Sequence, residues 1–253
     1  MEPTLLQRPT PELLAALQTH QLSPHEPLHQ WDLTSLDLSG LNLSGLNLSH
    51  VDLRGSNLTQ TNLERANLDG ANLCRTRLES ANLSHTTLET TQLQWARYDR
   101  HTQWPDPFAY KTSGAIGPKA SLGGAYFNTA NLRDADLEGA MMLGAYVSGA
   151  DFTGANMAHI RLSGADMRNC YLTGAYLKNA SLNSVNLSGV DLRGADLTDI
   201  KLEHLESIAG ADFSQVQGLS NDLRARLLSR PANELDVWNA YTRRSTRDSL
   251  TQT

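Results

Sequence analysis

From residue 33 to residue 98 a large apolar side chain returns at every fifth position, and thirteen of these fourteen positions are leucine, Leu33 to Leu93, with Tyr98 the last. A second run begins at Leu122 and continues through Phe127, Leu132 and Leu137 to Leu202. With i marking the large residue, i−2 is small (Ala66, Ala71, Ala135, Ala155) or a variant such as Thr61, Cys170 or Ile200. Position i−1 is mostly Asn or Asp, and i+1 and i+2 are polar or glycine. A helix repeats every 3.6 residues and a strand every two, so neither accounts for five. A short extended piece followed by a turn does. Four such units, each turning the chain through a right angle, predict a square coil of twenty residues. Such coils stack through backbone hydrogen bonds at about 4.8 Å. The shaft they enclose is narrow, which explains one large and one small inward residue per unit. Each buried leucine contributes about 1.5–3 kcal/mol. Glycine at i+2 suits a corner with positive φ, and Asn or Asp at i−1 can bond the neighbouring turn.

The A(D/N)LxG pattern, as in ANLDGANL at 66–73 and ADFTGANM at 150–157, resembles the pentapeptide-repeat family over about two thirds of the chain. The resemblance implies an all-β solenoid, a right-handed quadrilateral β-helix. At four pentads per coil this gives about eight coils and a rod of roughly 38 Å. Leucine-rich repeats, with units of about 20–29 residues and uneven leucine spacing, do not fit.

Five segments are expected. Residues 1–30 form an N-terminal cap whose short helix has Thr10 as N-cap and Pro11 at N1, with Leu13, Leu14 and Leu17 over the first coil. Residues 31–100 are the first array and 120–217 the second, with a one-residue register break between Leu202 and Phe213. Between them, 101–119 reads as an insert loop, because its prolines and glycines break the pattern. Its TQWPDPF…SGA is similar to inserts of cyanobacterial members. Residues 218–253 are a capping helix, with Ser220 as N-cap, Leu223, Leu227 and Leu228 on one face and Pro231 ending it, then a solvated polar tail with Trp238 and Tyr241 folded back. In relatives a C-terminal helix can mediate dimerisation, so the resemblance implies a monomer or a homodimer through this helix.

Composition narrows the function. Net charge is −6 at 253 residues, which disfavours direct nucleic-acid binding and anionic membranes. No run is long and apolar enough for a membrane span. The N-terminus does not read as a signal peptide, and two distant cysteines suit a reducing cytoplasm. No metal or cofactor is expected: His25 and His29 are four apart, but Pro24 and Pro27 forbid the helix that would pair them. Cys170 falls inward in an alanine's place. Cys74 falls outward beside Arg75 and Arg77, with no histidine partner. No nucleophile motif, P-loop or dinucleotide fingerprint is present, so the chain reads as no enzyme.

Relatives that protect or inhibit DNA gyrase resemble a DNA duplex in size and charge, which motivates a test for an acidic stripe. The second array holds eleven acidic and six basic residues. Stacking by twenties scatters them: Asp136 and Asp196 share a column with Asn156 and Tyr176, and Asp151 and Asp191 share one with Asn131 and Tyr171. Outward aromatics stand out more. Tyr126 and Tyr146 fall in one column of adjacent coils, with Met141 on the preceding face. Trp104, Pro105 and Phe108 of the insert are expected to fold over them, the alternative being an open partner site. Trp104, Phe108, Tyr126, Met141, Tyr146, Trp238 and Tyr241 are therefore the candidate protein-binding residues. The leading expectation is a non-enzymatic rigid scaffold for an unknown protein partner, in line with cyanobacterial members that regulate heterocyst differentiation through protein contacts. The alternative is a DNA-mimic modulator of a type II topoisomerase.

Overall fold

A pentad that turns after each large residue must pair its backbone with something other than itself, and the next coil is the only partner at the right distance. The computed structural model describes residues 9–19, 21 and 28–251. It divides into two units, Met1–Gly117 and Pro118–Thr253.

In the first unit single-residue parallel bridges join positions twenty apart, such as Asn42 to Asn62 and Asn62 to Asn82. A coil therefore takes four pentads and carries four columns of rungs. Each rung is held from both sides: Leu43 N donates to Asn62 O at 2.8 Å and Asn62 N donates to Leu41 O at 2.9 Å. The leucines at every fifth position from Leu33 to Leu93 point inward, and none of them is more than 4% exposed. The small inward positions do more than fill space. Ser56 and Thr61 donate their hydroxyls to Leu33 O at 2.6 Å and Leu38 O at 2.8 Å, so their polarity is satisfied inside the wall. At i−1, Asn62 Oδ1 accepts from Glu64 N at 3.1 Å, and Asn82 Nδ2 donates to Asn62 Oδ1 at 3.3 Å. One asparagine thus closes its own turn and ties adjacent coils.

The corner at i+2 is left-handed not only at glycines: φ is +68° at Gly40 but also +57° at His50 and +59° at Arg65. Glycine removes strain there, and the ladder is strong enough to hold other residues in the same conformation. At the N-terminal end helix α1, Pro11–Gln18, is capped by Thr10, whose Oγ1 accepts from Leu13 N at 3.2 Å. Leu13 and Leu17 are buried. The side chain of Leu14, and His20, Pro24, His25 and Pro27, lie outside the described residues.

The segment expected to be an insert loop is a disguised coil. Asn82 bridges to Gln103, twenty-one residues on, and Arg97 bridges to Ile116, nineteen on. Ile116 N donates to Ala96 O at 2.7 Å, and Tyr98 N donates to Ile116 O at 3.0 Å. The stretch from Arg97 to Ile116 is one residue short of a regular coil, and only the two sides between Gln103 and Ile116 lose their rungs. Those two sides are filled by rings instead. Trp104 stacks on Tyr110 (centroids 5.3 Å apart) and on Phe108 (5.6 Å), and Tyr98 meets Trp104 and Tyr110 edge-on at 5.5 Å.

The second unit repeats the regular coil. Bridges run from Ser121–Met141 to Ser181–Lys201 at intervals of twenty, and the large inward residues from Leu122 to Leu202 are at most 5% exposed. The register then shifts by one residue, with Asn186 bridging to Ser207, Asp191 to Asp212 and Asp196 to Gln217.

Beyond the last coil the chain forms a folded cap, which corrects the expectation of a solvated tail. Helix α2, Asn221–Leu228, begins at Ser220, whose Oγ accepts from Leu223 N at 3.2 Å. Pro231 then opens a further turn, α3, Ala232–Leu235. An antiparallel bridge pairs Trp238 with Ser245, and α4, Thr246–Thr251, packs against α2 and α3. Trp238, expected to fold back, is 66% exposed, whereas the Tyr241 ring does fold back, onto Tyr171 of the array, while remaining 60% exposed. Polar side chains do the capping. Asn239 is buried and donates Nδ2 to Gly210 O at 2.7 Å and to Gly189 O at 3.2 Å. Thr246 Oγ1 donates to Ile208 O at 3.0 Å, Ser249 Oγ accepts from Phe213 N at 3.0 Å, and Glu234 accepts from Ile208 N at 2.9 Å. The reason is general: the last coil has backbone donors and acceptors with no further coil to meet, and each needs a polar partner.

Candidate interaction surface

Position i−1 points out of the coil, so its residue decides what each face shows. Tyr126 and Tyr146 are bridge partners in one column, and their rings stack with centroids 4.7 Å apart and planes 3° from parallel. They are 67% and 45% exposed. Met141, on the neighbouring column, and Leu143 beside it are also exposed. Trp104 and Phe108, expected to cover the tyrosines, pack inside the first unit, Trp104 against Tyr98 and Tyr110 and Phe108 against Trp104. The tyrosine pair, Met141 and Leu143 expose apolar groups on neighbouring columns at positions that are mostly polar elsewhere. Tyr241 is a separate site: its ring meets Tyr171 edge-on at 5.1 Å.

The acidic residues of the second array are scattered, and Asp151, Asp166 and Asp191 are paired with arginines. One column reads Asp136, Asn156, Tyr176, Asp196 and another Asn131, Asp151, Tyr171, Asp191, Asp212. Arg168 grips Asp166 through Nε at 2.8 Å and Nη2 at 2.7 Å, and Arg193 holds Asp191 in the same fork. The Arg168 side chain holds the Asp166 carboxyl below its ordinary range. Cys170 is buried and donates its thiol to Val147 O at 3.0 Å, and burial pushes its pKa up to about 12, so it carries no thiolate at neutral pH. Cys74 sits half-buried at a corner with its thiol 3.4 Å from Gln94 Oε1. Of the histidines, His50, His85, His159 and His204 occupy left-handed corners of different coils. Among the described residues no helix is long and apolar enough to cross a membrane.

Two exposed features were not anticipated. Leu143 and Tyr176 break the polar rule for their positions in the same way as Tyr126 and were legible on that ground. Trp95, at a corner otherwise given to glycine and polar residues, lies beneath the Arg75 guanidinium at 4.6 Å.

The repeat is matched by known sequences and structures. The chain is similar over about half its length (51%), at 32% identity, to a pentapeptide repeat protein of the Arabidopsis thaliana thylakoid lumen, covering 86% of that chain with a TM-score of 0.47. It is 25% identical to HetL, a pentapeptide repeat protein involved in heterocyst differentiation regulation in the cyanobacterium Nostoc, covering 74% of this chain and 84% of that one, TM-score 0.35. At 16% identity it is similar to QnrB1, a plasmid-mediated fluoroquinolone resistance protein, covering 73% of this chain and 83% of that one with a TM-score of 0.28. No curated protein matches the sequence. The family model of pentapeptide repeats matches eight copies, over residues 28–60, 56–94, 120–158, 130–169 and 160–199. Those matches span more than half of the chain and fall on the same five-residue units that build the rungs, so the chain belongs to the pentapeptide-repeat family.

Proposed function

We propose that the protein is a non-enzymatic scaffold that docks a protein partner on the outer wall of its second array, through Tyr126, Tyr146 and Met141. The coils then have the right-handed quadrilateral winding of the family, and their role is to hold surface side chains rigidly in columns. One observation carries this reading: two tyrosines stack in the open where asparagine or aspartate is the rule. Stacked rings are already ordered, so a partner gains apolar contact without paying to fix them. Exposed apolar clusters of this kind mark contact sites. The C-terminal helix expected to carry a homodimer contact buries Leu227 within its own chain, and Arg226 donates to Leu202 O at 3.2 Å, which supports a monomer. Free cysteines suit action in the cytoplasm. The topoisomerase alternative needs a continuous acidic stripe, and the columns interrupt their aspartates with Asn and Tyr.

Exchange of both tyrosines for the column's usual residue, Tyr126→Asn with Tyr146→Asn, tests the reading. Affinity capture from the native lysate should lose a partner that wild type and Trp238→Ala both retain. Identical captured sets, or inhibition or protection of gyrase by the pure protein in a supercoiling assay, would contradict it.

A further inference from the structure

We propose a second docking site, a corner groove of the first unit that binds an acidic peptide segment of a protein partner through its carboxylates. The groove has a volume of about 620 Å³ and follows one corner column through four coils, from Thr34 and Ser35 past Arg54 and Arg75 to Trp95. Its lining is rich in hydrogen-bond donors. Arg54 uses Nε and Nη2 on Asp52, at 2.9 and 2.7 Å, and keeps Nη1. Gln94 Oε1 takes the Cys74 thiol, which leaves the amide nitrogen to donate. Arg75 has no carboxylate partner among the described residues, and its guanidinium lies 4.6 Å above the Trp95 ring. No acidic residue lines the groove. Asp32, in the adjoining column, is held by Thr34 through its amide at 3.0 Å and its hydroxyl at 2.7 Å. Arg75 without a carboxylate partner, with Arg54 Nη1 and the Gln94 amide nitrogen beside it, fits an anion.

Trp95 shows that this corner is more than wall. It has φ +64°, a conformation that disfavours bulky side chains, and the indole there is still 41% exposed. The indole lies flat against Arg75 and leaves the edge of the guanidinium available for a bidentate carboxylate. The shape selects among anions. Four corners at about 4.8 Å span roughly 14 Å, the length of about four extended residues, whereas free phosphate would fill one end. The site lies in the other unit from the tyrosine face; it extends the scaffold reading without depending on that surface.

The test is anisotropy of a fluorescein-labelled octapeptide rich in Asp and Glu, titrated with the full chain. Saturable binding that weakens with salt is expected, with no binding of the Lys-for-Glu counterpart and no displacement by millimolar inorganic phosphate. Arg75→Gln and Trp95→Gly should each weaken binding about tenfold or more. Trp95→Gly should keep or raise the melting temperature, since glycine relieves the corner; a structural indole would lower it. The Tyr126→Asn, Tyr146→Asn variant should bind the peptide as wild type does. Absence of saturable binding, equal displacement by phosphate, indifference to both groove variants, a lower melting temperature for Trp95→Gly, or loss of binding in the tyrosine variant would each overturn the proposal.

Discussion

Gly117 stands where the repeat calls for a large inward residue, and its neighbour one coil back is Tyr98 rather than leucine. The two are a complementary pair. A Cβ built on Gly117 would lie 2.6 Å from Cδ2, Cε2 and Cζ of Tyr98, a contact that ring atoms inside a packed shaft cannot relieve. Tyr98 is 3% exposed, so the ring fills the space of two side chains. Gly117→Ala should therefore destabilise the protein by about 1–3 kcal/mol through overpacking, measured by denaturant unfolding. Tyr98→Leu in the same chain should recover part of that loss, and strict additivity of the two would show that they do not share the space. The same scale explains Cys170, whose thiol bonds to Val147 O as the Ser56 and Thr61 hydroxyls bond their carbonyls. An inward polar atom is tolerated because the wall beside it offers an acceptor.

At the scale of elements, the two segments that break the pentad are the ones where pattern and structure part company. The regular arrays were legible because one residue type marks each position, and the stacking of Tyr126 on Tyr146 followed from counting twenties. The coil through Gln103 and Ile116 was hidden, because glutamine, isoleucine and Gly117 stand where asparagine, asparagine and leucine mark the pattern elsewhere. Ring packing by Trp104, Phe108 and Tyr110 has no period to read. A deletion of 101–117 would remove rungs rather than a loop, so point variants are the appropriate probes of the surface. The cap failed for the opposite reason. Hydrophobicity singled out Trp238 and Tyr241, whereas an exposed coil end is limited by unpaired backbone groups, and Asn239, Thr246 and Ser249 answer them. Asn239→Ala leaves the Gly210 carbonyl without its donor and should cost about 1–3 kcal/mol, while Trp238→Ala should stay within about 0.5 kcal/mol. Unfolding curves of the two variants would settle the order; a larger loss for Trp238→Ala would mean the cap is apolar after all.

At the scale of the whole molecule, both units follow one rule: a residue meets the residue four pentads away. Every surface inference depends on it, from the tyrosine stack to the corner groove, because each assigns neighbours by that count. The direct test is a pair of cysteines in a background of Cys74→Ser and Cys170→Ala. Asn62→Cys with Asn82→Cys joins bridge partners about 4.8 Å apart, within the reach of a disulfide. Asn62→Cys with Arg77→Cys is nearer in sequence but lies on a neighbouring side of the coil. Under mild oxidation of the folded protein the first pair should close to an intramolecular disulfide and the second should remain reduced. Closure of the second pair with the first left open would contradict the twenty-residue coil.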